Sequence, residues 1–145
     1  MADRRIVPVP DLDSAPYWAA LAKGALELQR CLDCGHWTWP PRPICSGCHG
    51  ERLAWEKVKG TGEVHSWVVT HRPYTPDAVD LVPYTIALVR IDEQDDILIP
   101  GRLLCDVVVH QGLRVRALPG RLTDEVGLLE WEVDAKSSGP NPSVA

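Results

Sequence analysis

Apolar residues along this chain follow two different periods. Near the N-terminus Trp18, Leu21, Ala22 and Ala25 recur at helical spacing and form one stripe, which predicts a short helix. Asp13 or Ser14 can cap its first amides, Pro16 fits its first turn, and Gly24 marks its end. A helix this short needs tertiary support, so the stripe either packs on the rest of the protein or docks another subunit. From Leu26 the period becomes two. Leu26 to Arg30 and Leu53 to Val58 read as strands, and Gly60-Thr-Gly62 then breaks the pattern.

After that break come longer runs with β character. Glu63 to His71 puts Val64, Ser66, Val68 and Thr70 on one side and His65, Trp67, Val69 and His71 on the other. Arg72 to Val82 is a proline-containing loop. Tyr84 to Ile91 is β-branched and apolar on both sides, as a central strand would be. The acidic turn Asp92 to Asp96 leads to Ile97 through Cys105, where Pro100-Gly101 predicts a bulge or bend. Leu113 to Leu118 and Leu129 to Val133 supply the fourth and fifth strands. Five strands with no helical pattern between them suit a small closed barrel of the oligonucleotide/oligosaccharide-binding (OB) type, with an open two-layer sandwich as the alternative. Residues 136–145 read as a disordered tail.

Between the two halves lies the chemistry. Cys31-Leu-Asp-Cys34 and Cys45-Ser-Gly-Cys48 are two C-x2-C knuckles, a spacing that wraps four thiolates around one structural zinc. Gly35 and Gly47 stand where a knuckle turn can need positive φ. The prolines between the knuckles make that segment an extended excursion, as in a zinc ribbon. Disulfides are the competing reading. The chain opens Met-Ala-Asp-Arg-Arg without an apolar signal segment, so a reducing cytoplasm is expected, and thiols rather than disulfides with it. A closed site with four protein ligands serves folding, not catalysis. Trp37, Trp39 and Trp55 would shield the sulfurs or, if exposed, form a partner face.

Composition narrows the function. The 145 residues contain no apolar run long enough to span a membrane. From residue 61 onward seven basic residues face thirteen acidic ones, which argues against a nucleic-acid-binding module because such modules neutralise phosphates with a basic surface. His36 and His49 flank the knuckles, where four cysteines already complete the set. His65 and His71 share a strand face without an orienting partner, and Cys105 is followed by Asp106, which disfavours a thiolate. A freestanding hydrolase or acyltransferase acting through Cys105 or His71 therefore ranks below a non-catalytic role.

Taken in order, Tyr17-Trp18, Leu28-Gln-Arg30 before Cys31-x2-Cys34-Gly35, Pro40-Pro-Arg42, Cys45-x2-Cys48, Trp55, Gly60-x-Gly62, Val64, Pro83-Tyr84 and Gly112-Leu-x-Val115 form one series. Over roughly residues 14 to 120 it resembles the domain-of-unknown-function-35 family, acyl-CoA-associated proteins made of a rubredoxin-like zinc ribbon and an OB-fold. The resemblance implies a mainly β protein: arm and helix over 1–30, ribbon over 31–59, OB barrel over 60–135 and tail over 136–145. It also implies an accessory subunit, without catalytic activity alone, of a complex that processes acyl-CoA through a thiolase-like or hotdog-fold hydratase enzyme. Such an assembly can hold a homodimer within a hetero-oligomer. Arg72, Tyr74, Tyr84 and Arg102 are the candidate contacts for a coenzyme A thioester, since arginine pairs with phosphates bidentately. Two departures from the family stand out. Gln94-Asp95-Asp96 occupies a hairpin where a glycine is usual, and Leu129-Glu-Trp131-Glu-Val133 replaces a Phe-Arg-Pro-like ending.

Overall fold

A computed structural model describes residues 5–135; the predicted tail at 136–145 lies outside the described residues. Helix α1 spans Ala15–Ala22 and is entered through a reciprocal pair. Ser14 N donates to Asp11 Oδ1 at 2.7 Å and Asp11 N donates to Ser14 Oγ at 3.2 Å. Ser14 is thus the N-cap by position, but its hydroxyl serves Asp11 and the Trp18 indole instead of the helix amides. Tyr17, Ala20 and Leu21 are the buried side chains, and the helix packs on the barrel rather than standing free. The approach is close: a Cβ on Gly127 would lie 2.3 Å from Ala22 N.

Strands β1 (Glu27–Cys31), β2 (Trp37–Thr38) and β3 (Leu53–Lys57) form an antiparallel sheet in the order β2-β1-β3. Two buried polar side chains hold its excursion in place, each satisfied as a buried polar group must be. Gln29 donates to Arg42 O at 2.9 Å and accepts from Arg42 N at 2.8 Å, while Thr38 Oγ1 accepts from Ser46 N at 3.3 Å.

The second sheet comprises β4 (Thr61–Thr70), β5 (Tyr84–Ile91), β6 (Leu98–Leu104), β7 (Arg114–Arg121) and β8 (Gly127–Val133). It closes as β4-β5-β6-β8-β7 and back to β4, with β6 and β8 parallel, so the barrel alternative holds over the open sandwich. Alternation drives the closure. Val64, Val89, Ile91, Ile99, Val115 and Trp131 point inward and are almost wholly buried, while Glu130 and Glu132 take the outer face of β8.

One local expectation fails. Pro100-Gly101 makes no bulge: β6 keeps one register with β5 from Leu98 to Leu103, and β8 joins only at Arg102, so Pro100 lies where β6 is still an edge. Gly101 instead makes room for Trp131, whose ring would meet an added Cβ at 2.7 Å. The irregularity falls in β4, between Val64 and Ser66. Within the proline-containing loop after β4, Pro76–Leu81 forms a 3₁₀ helix.

Ribbon and barrel are joined by the Gln94 hairpin. Gln94 Oε1 accepts from Trp37 N at 3.0 Å and its Nε2 donates to Trp37 O at 2.9 Å, so one side chain pairs β2 as a neighbouring strand would. Trp37, Trp39 and Trp55 pack against the apolar core, which runs from α1 through the ribbon into the barrel.

Candidate functional sites: a four-thiol centre and a groove on the barrel

The two knuckles are built alike. In the first, Gly35 N donates to Cys31 O at 2.9 Å and Cys31 N to His36 O at 2.9 Å; in the second, His49 N donates to Cys45 O at 3.1 Å and Cys45 N to Gly50 O at 2.8 Å. Each turn needs a left-handed residue just after its second cysteine. Gly35 takes φ +75° in the first, and His49, not Gly47, takes φ 63° in the second. Gly47 answers a different need, because a Cβ there would stand 3.0 Å from the His36 ring.

This architecture brings the four sulfurs together. Cys31 and Cys48 Sγ are 3.6 Å apart, as are Cys34 and Cys45 Sγ, and all four lie within 4.8 Å of one another. These are not disulfides. Tetrahedral zinc with bonds of about 2.3 Å sets its thiolates roughly 3.8 Å apart, so the set fits one ion. The amides of Cys48 and Gly47, both directed at Cys45 Sγ, help hold that thiol down at about 6, the ionised form a metal requires. For Cys48 the Gly50 amide acts in the same direction, but the facing thiols of Cys31 and Cys34 outweigh it and push the group up to about 12. Among the described residues no other group of three or more His, Cys, Asp or Glu gathers in this way.

His65, His71, His110 and Cys105 stay apart from such a centre. His65 Nδ1 accepts from Arg90 Nη2 at 3.0 Å, His71 is exposed, His110 lies 3.0 Å from its neighbour's carbonyl, and Cys105 is half-buried outside the thiol cluster. His36 Nε2 faces Gln94 and, at 4.0 Å, Asp96.

On the barrel the structure brings three of the four thioester candidates together. Tyr74, Tyr84 and Arg102 line one groove of about 270 Å³ with Arg5, Ile6, Thr75, Ala78, Leu81 and Ile86. Arg72 is exposed and does not line it. The groove uses β5, β6 and the β4–β5 loop, the face through which OB-folds take ligands. The 3₁₀ helix builds its wall by its own period: Thr75, Ala78 and Leu81 are three apart and align, while Asp77 and Asp80 fall on another ridge. Arg5 and Ile6 come from the N-terminal arm, and nothing in their sequence context pointed to this site. A second cleft, of about 410 Å³, lies between α1, Trp39-Pro40-Pro41 and β8.

Comparison with known proteins matches two family models in tandem: the ChsH2 rubredoxin-like zinc ribbon domain over residues 18–54 and the ChsH2 C-terminal OB-fold domain over residues 55–118. A probable enoyl-CoA hydratase alpha subunit of Thermomonospora curvata is 35% identical over 59% of this chain, which spans 26% of that protein. A DUF35 domain-containing scaffold protein of Methanothermobacter thermautotrophicus is 37% identical over 44% of this chain, which spans 48% of it. The chain therefore covers half or less of the length of these two curated relatives. Among solved structures, a chain of the Ltp2-ChsH2(DUF35) aldolase superposes with a TM-score of 0.76 at 27% identity, covering 87% of this chain and 98% of that one.

Proposed function

The chain belongs to the ChsH2 family of zinc-ribbon and OB-fold proteins, the DUF35 scaffold group, and from that premise we propose that it is an accessory subunit of an acyl-CoA-processing enzyme. It docks on a thiolase-like or aldolase-like partner and helps present the acyl-CoA thioester. One observation carries the second half of this reading: the convergence of Tyr74, Tyr84 and Arg102 on an apolar groove of the OB ligand face. The relatives that support the first half are a scaffold protein, a hydratase subunit and an aldolase complex, and they favour this reading over a nucleic-acid module. A hydratase partner of hotdog fold, with a homodimer within the assembly, is the second form of this proposal; a probable enoyl-CoA hydratase alpha subunit among the relatives supports the hydratase part of it.

Cys31, Cys34, Cys45 and Cys48 would hold the zinc, which when bound supplies a fixed tetrahedral cross-link and no open coordination position. A four-thiolate zinc set suits a reducing compartment, and the cytoplasm is the one we propose. Among the described residues no helix is long and apolar enough to cross a membrane.

The test is reconstitution. Mixed with a thiolase-like or aldolase-like enzyme of its own host, the purified chain is expected to co-elute in size-exclusion chromatography and to raise the partner's turnover. Separate elution together with unchanged turnover and solubility would end the proposal.

A further inference from the structure

One strand of the barrel is only half paired. At its start β4 lies between β5 and β7, where Thr61, Gly62 and Glu63 face Arg116, Val115 and Arg114. Val64 is the last residue tied on the β7 side: its amide donates to Leu113 O at 2.9 Å and its carbonyl accepts from Gly112 N at 2.8 Å. Over residues 66–70 the strand has β5 as its one neighbour among the described residues. The ladder shows which backbone groups are left over. Ile91 N donates to Ile97 O, so Ile91, Val89 and Ala87 turn towards β6, while Leu88, Ile86 and Tyr84 turn towards β4. These three are in register with Ser66, Val68 and Thr70. Trp67 and Val69 therefore aim their N–H and C=O groups outward, where no hydrogen bond to a described residue receives them.

Exposed strand edges are normally blunted by lysine, proline or an inward-pointing charge. Ser66-Trp67-Val68-Val69-Thr70 has none of these, and Trp67, Val68 and Val69 are 39%, 61% and 46% exposed. The segment is instead self-complementary. An antiparallel copy centred on Val68 sets Val68 against Val68, Trp67 against Val69 and Ser66 against Thr70, with no charge in any pair. That register also brings the outward backbone groups of Trp67 and Val69 opposite the same groups of the copy, so each edge supplies the hydrogen bonds the other lacks. Gly112 and Leu113 already occupy the edge beside Val64 and confine the pairing to this stretch. We infer that residues 66–70 are the surface through which a second copy of this chain adds its own β4, joining two barrels across a two-fold axis at Val68. Opposed residues of an antiparallel pair project to one face, and Val68 and Thr70 are in register with Ile86 and Tyr84. The grooves that Ile86 and Tyr84 line thus open on the same side of the joined sheet. Five residues a side make a small interface, so the dimer dissociates on dilution. This inference gives the homodimer of the proposed assembly its surface and rests on that part of the reading alone; no partner enzyme or ligand enters it.

Sedimentation velocity of the full chain over a dilution series tests it. Monomer and dimer in equilibrium are expected, and Val68→Lys should weaken the dimer by about tenfold or more, because two like charges then stand opposite each other and two valines lose their cover. Val68 is exposed and outside the core, so the urea midpoint should stay where it is. Cross-linking fixes the register. In a Cys105→Ser background, Val68→Cys should form an intermolecular disulfide with its own counterpart, since a non-hydrogen-bonded pair brings its Cα atoms to about 4.5 Å. Val69→Cys would face Trp67 of the second copy, with its counterpart beyond disulfide reach, and should not cross-link. A chain that stays monomeric at its solubility limit, a dimer indifferent to Val68→Lys, or equal cross-linking of the two cysteine variants overturns the inference. A monomeric chain whose co-elution with a thiolase-like or aldolase-like enzyme is lost in Val68→Lys overturns it too, and assigns the edge to that enzyme. Loss of the homodimer with co-elution intact leaves the accessory-subunit reading standing; loss of co-elution with the homodimer intact removes that reading alone.

Discussion

Ribbon and barrel solve the same problem, holding a short β-sheet together, by opposite means. The barrel buries Trp131, Ile91, Ile99, Val64, Val89 and Val115 in a closed wall whose strands satisfy one another. The ribbon has three short strands, and its deeply buried set mixes Leu28 with Cys31, Cys45, Thr38 and Gln29. Its geometry is set by four sulfurs and by side chains that bond the backbone of the excursion. Small units without enough apolar area depend on such cross-links. The difference teaches that the two halves should fail separately, and the ways to break them rank accordingly.

Metal removal should have the largest effect. Structural zinc supplies about 10–16 kcal/mol in zinc-finger peptides, and that binding energy is folding energy. Chelation, or Cys45→Ser, is expected to abolish amide protection across residues 27–57 while the strands from Thr61 to Val133 keep theirs. Hydrogen exchange read by mass spectrometry separates the two. Equal loss in both halves would mean that the ribbon is not an independent cooperative unit.

Next is the joint between them. Gln94 pairs both backbone groups of Trp37, and Gln94→Ala removes both bonds at once. Unsatisfied part-buried backbone groups cost about 1–3 kcal/mol, so urea stability of the ribbon should fall by roughly 2 kcal/mol, with the barrel unchanged. A variant that lowers both equally would show the hairpin to be a barrel element first.

How far this was legible follows the same division. The barrel strands could be read from runs of β-branched and apolar residues and, in β8, from alternation, where Leu129 and Trp131 are buried against Glu130 and Glu132. The thiol set could be read because metal spacing is a local property. Features that depend on what lies opposite could not. Gly101 looked like a bend and is a clearance for Trp131; Gly47 looked like a turn residue and is a clearance for His36. Gln94 was visible as a departure from the family, but its partner lies 57 residues away in sequence. The groove is a similar case. Tyr74, Tyr84 and Arg102 could be nominated from their segments, whereas Arg5 enters only because the arm folds back across the barrel to Glu130.

Acid should act on the barrel through one identifiable group. Asp92 accepts from Arg114 at 2.8 and 2.5 Å and from Thr61 at 2.6 Å, tying the starts of β4 and β7 where the barrel closes. The Arg114 guanidinium, with help from Thr61 and against partial burial, holds the carboxyl down at about 2. An unfolded aspartate titrates near 3.9, so this group binds protons more readily unfolded than folded. Its stabilisation is complete above about pH 4 and is lost as the pH falls toward 2. With a side chain 32% exposed, about 1–2 kcal/mol is a fair size after screening. Asp92→Asn should lower barrel stability at pH 6 and lose most of that deficit by pH 2.5 in urea titrations. Zinc release at low pH is common to both proteins and cancels in the difference.

The smallest effect returns to the ribbon and has the opposite sign. The knuckles share one turn, but the first places Gly35 and the second His49 at the left-handed position. A residue with a Cβ pays there a penalty that glycine does not, on the order of 1 kcal/mol. Glycine also enlarges the entropy of the unfolded chain, which offsets part of the gain. His49→Gly should therefore stabilise the ribbon by about 0.5 kcal/mol and slow zinc loss to a chelator, with no change in the barrel's urea midpoint. His49 is exposed and outside the thiol cluster, so the substitution removes no ligand. A faster zinc loss would instead assign the imidazole a protective role over the sulfurs, and the equivalence of the two knuckles would be structural without being energetic.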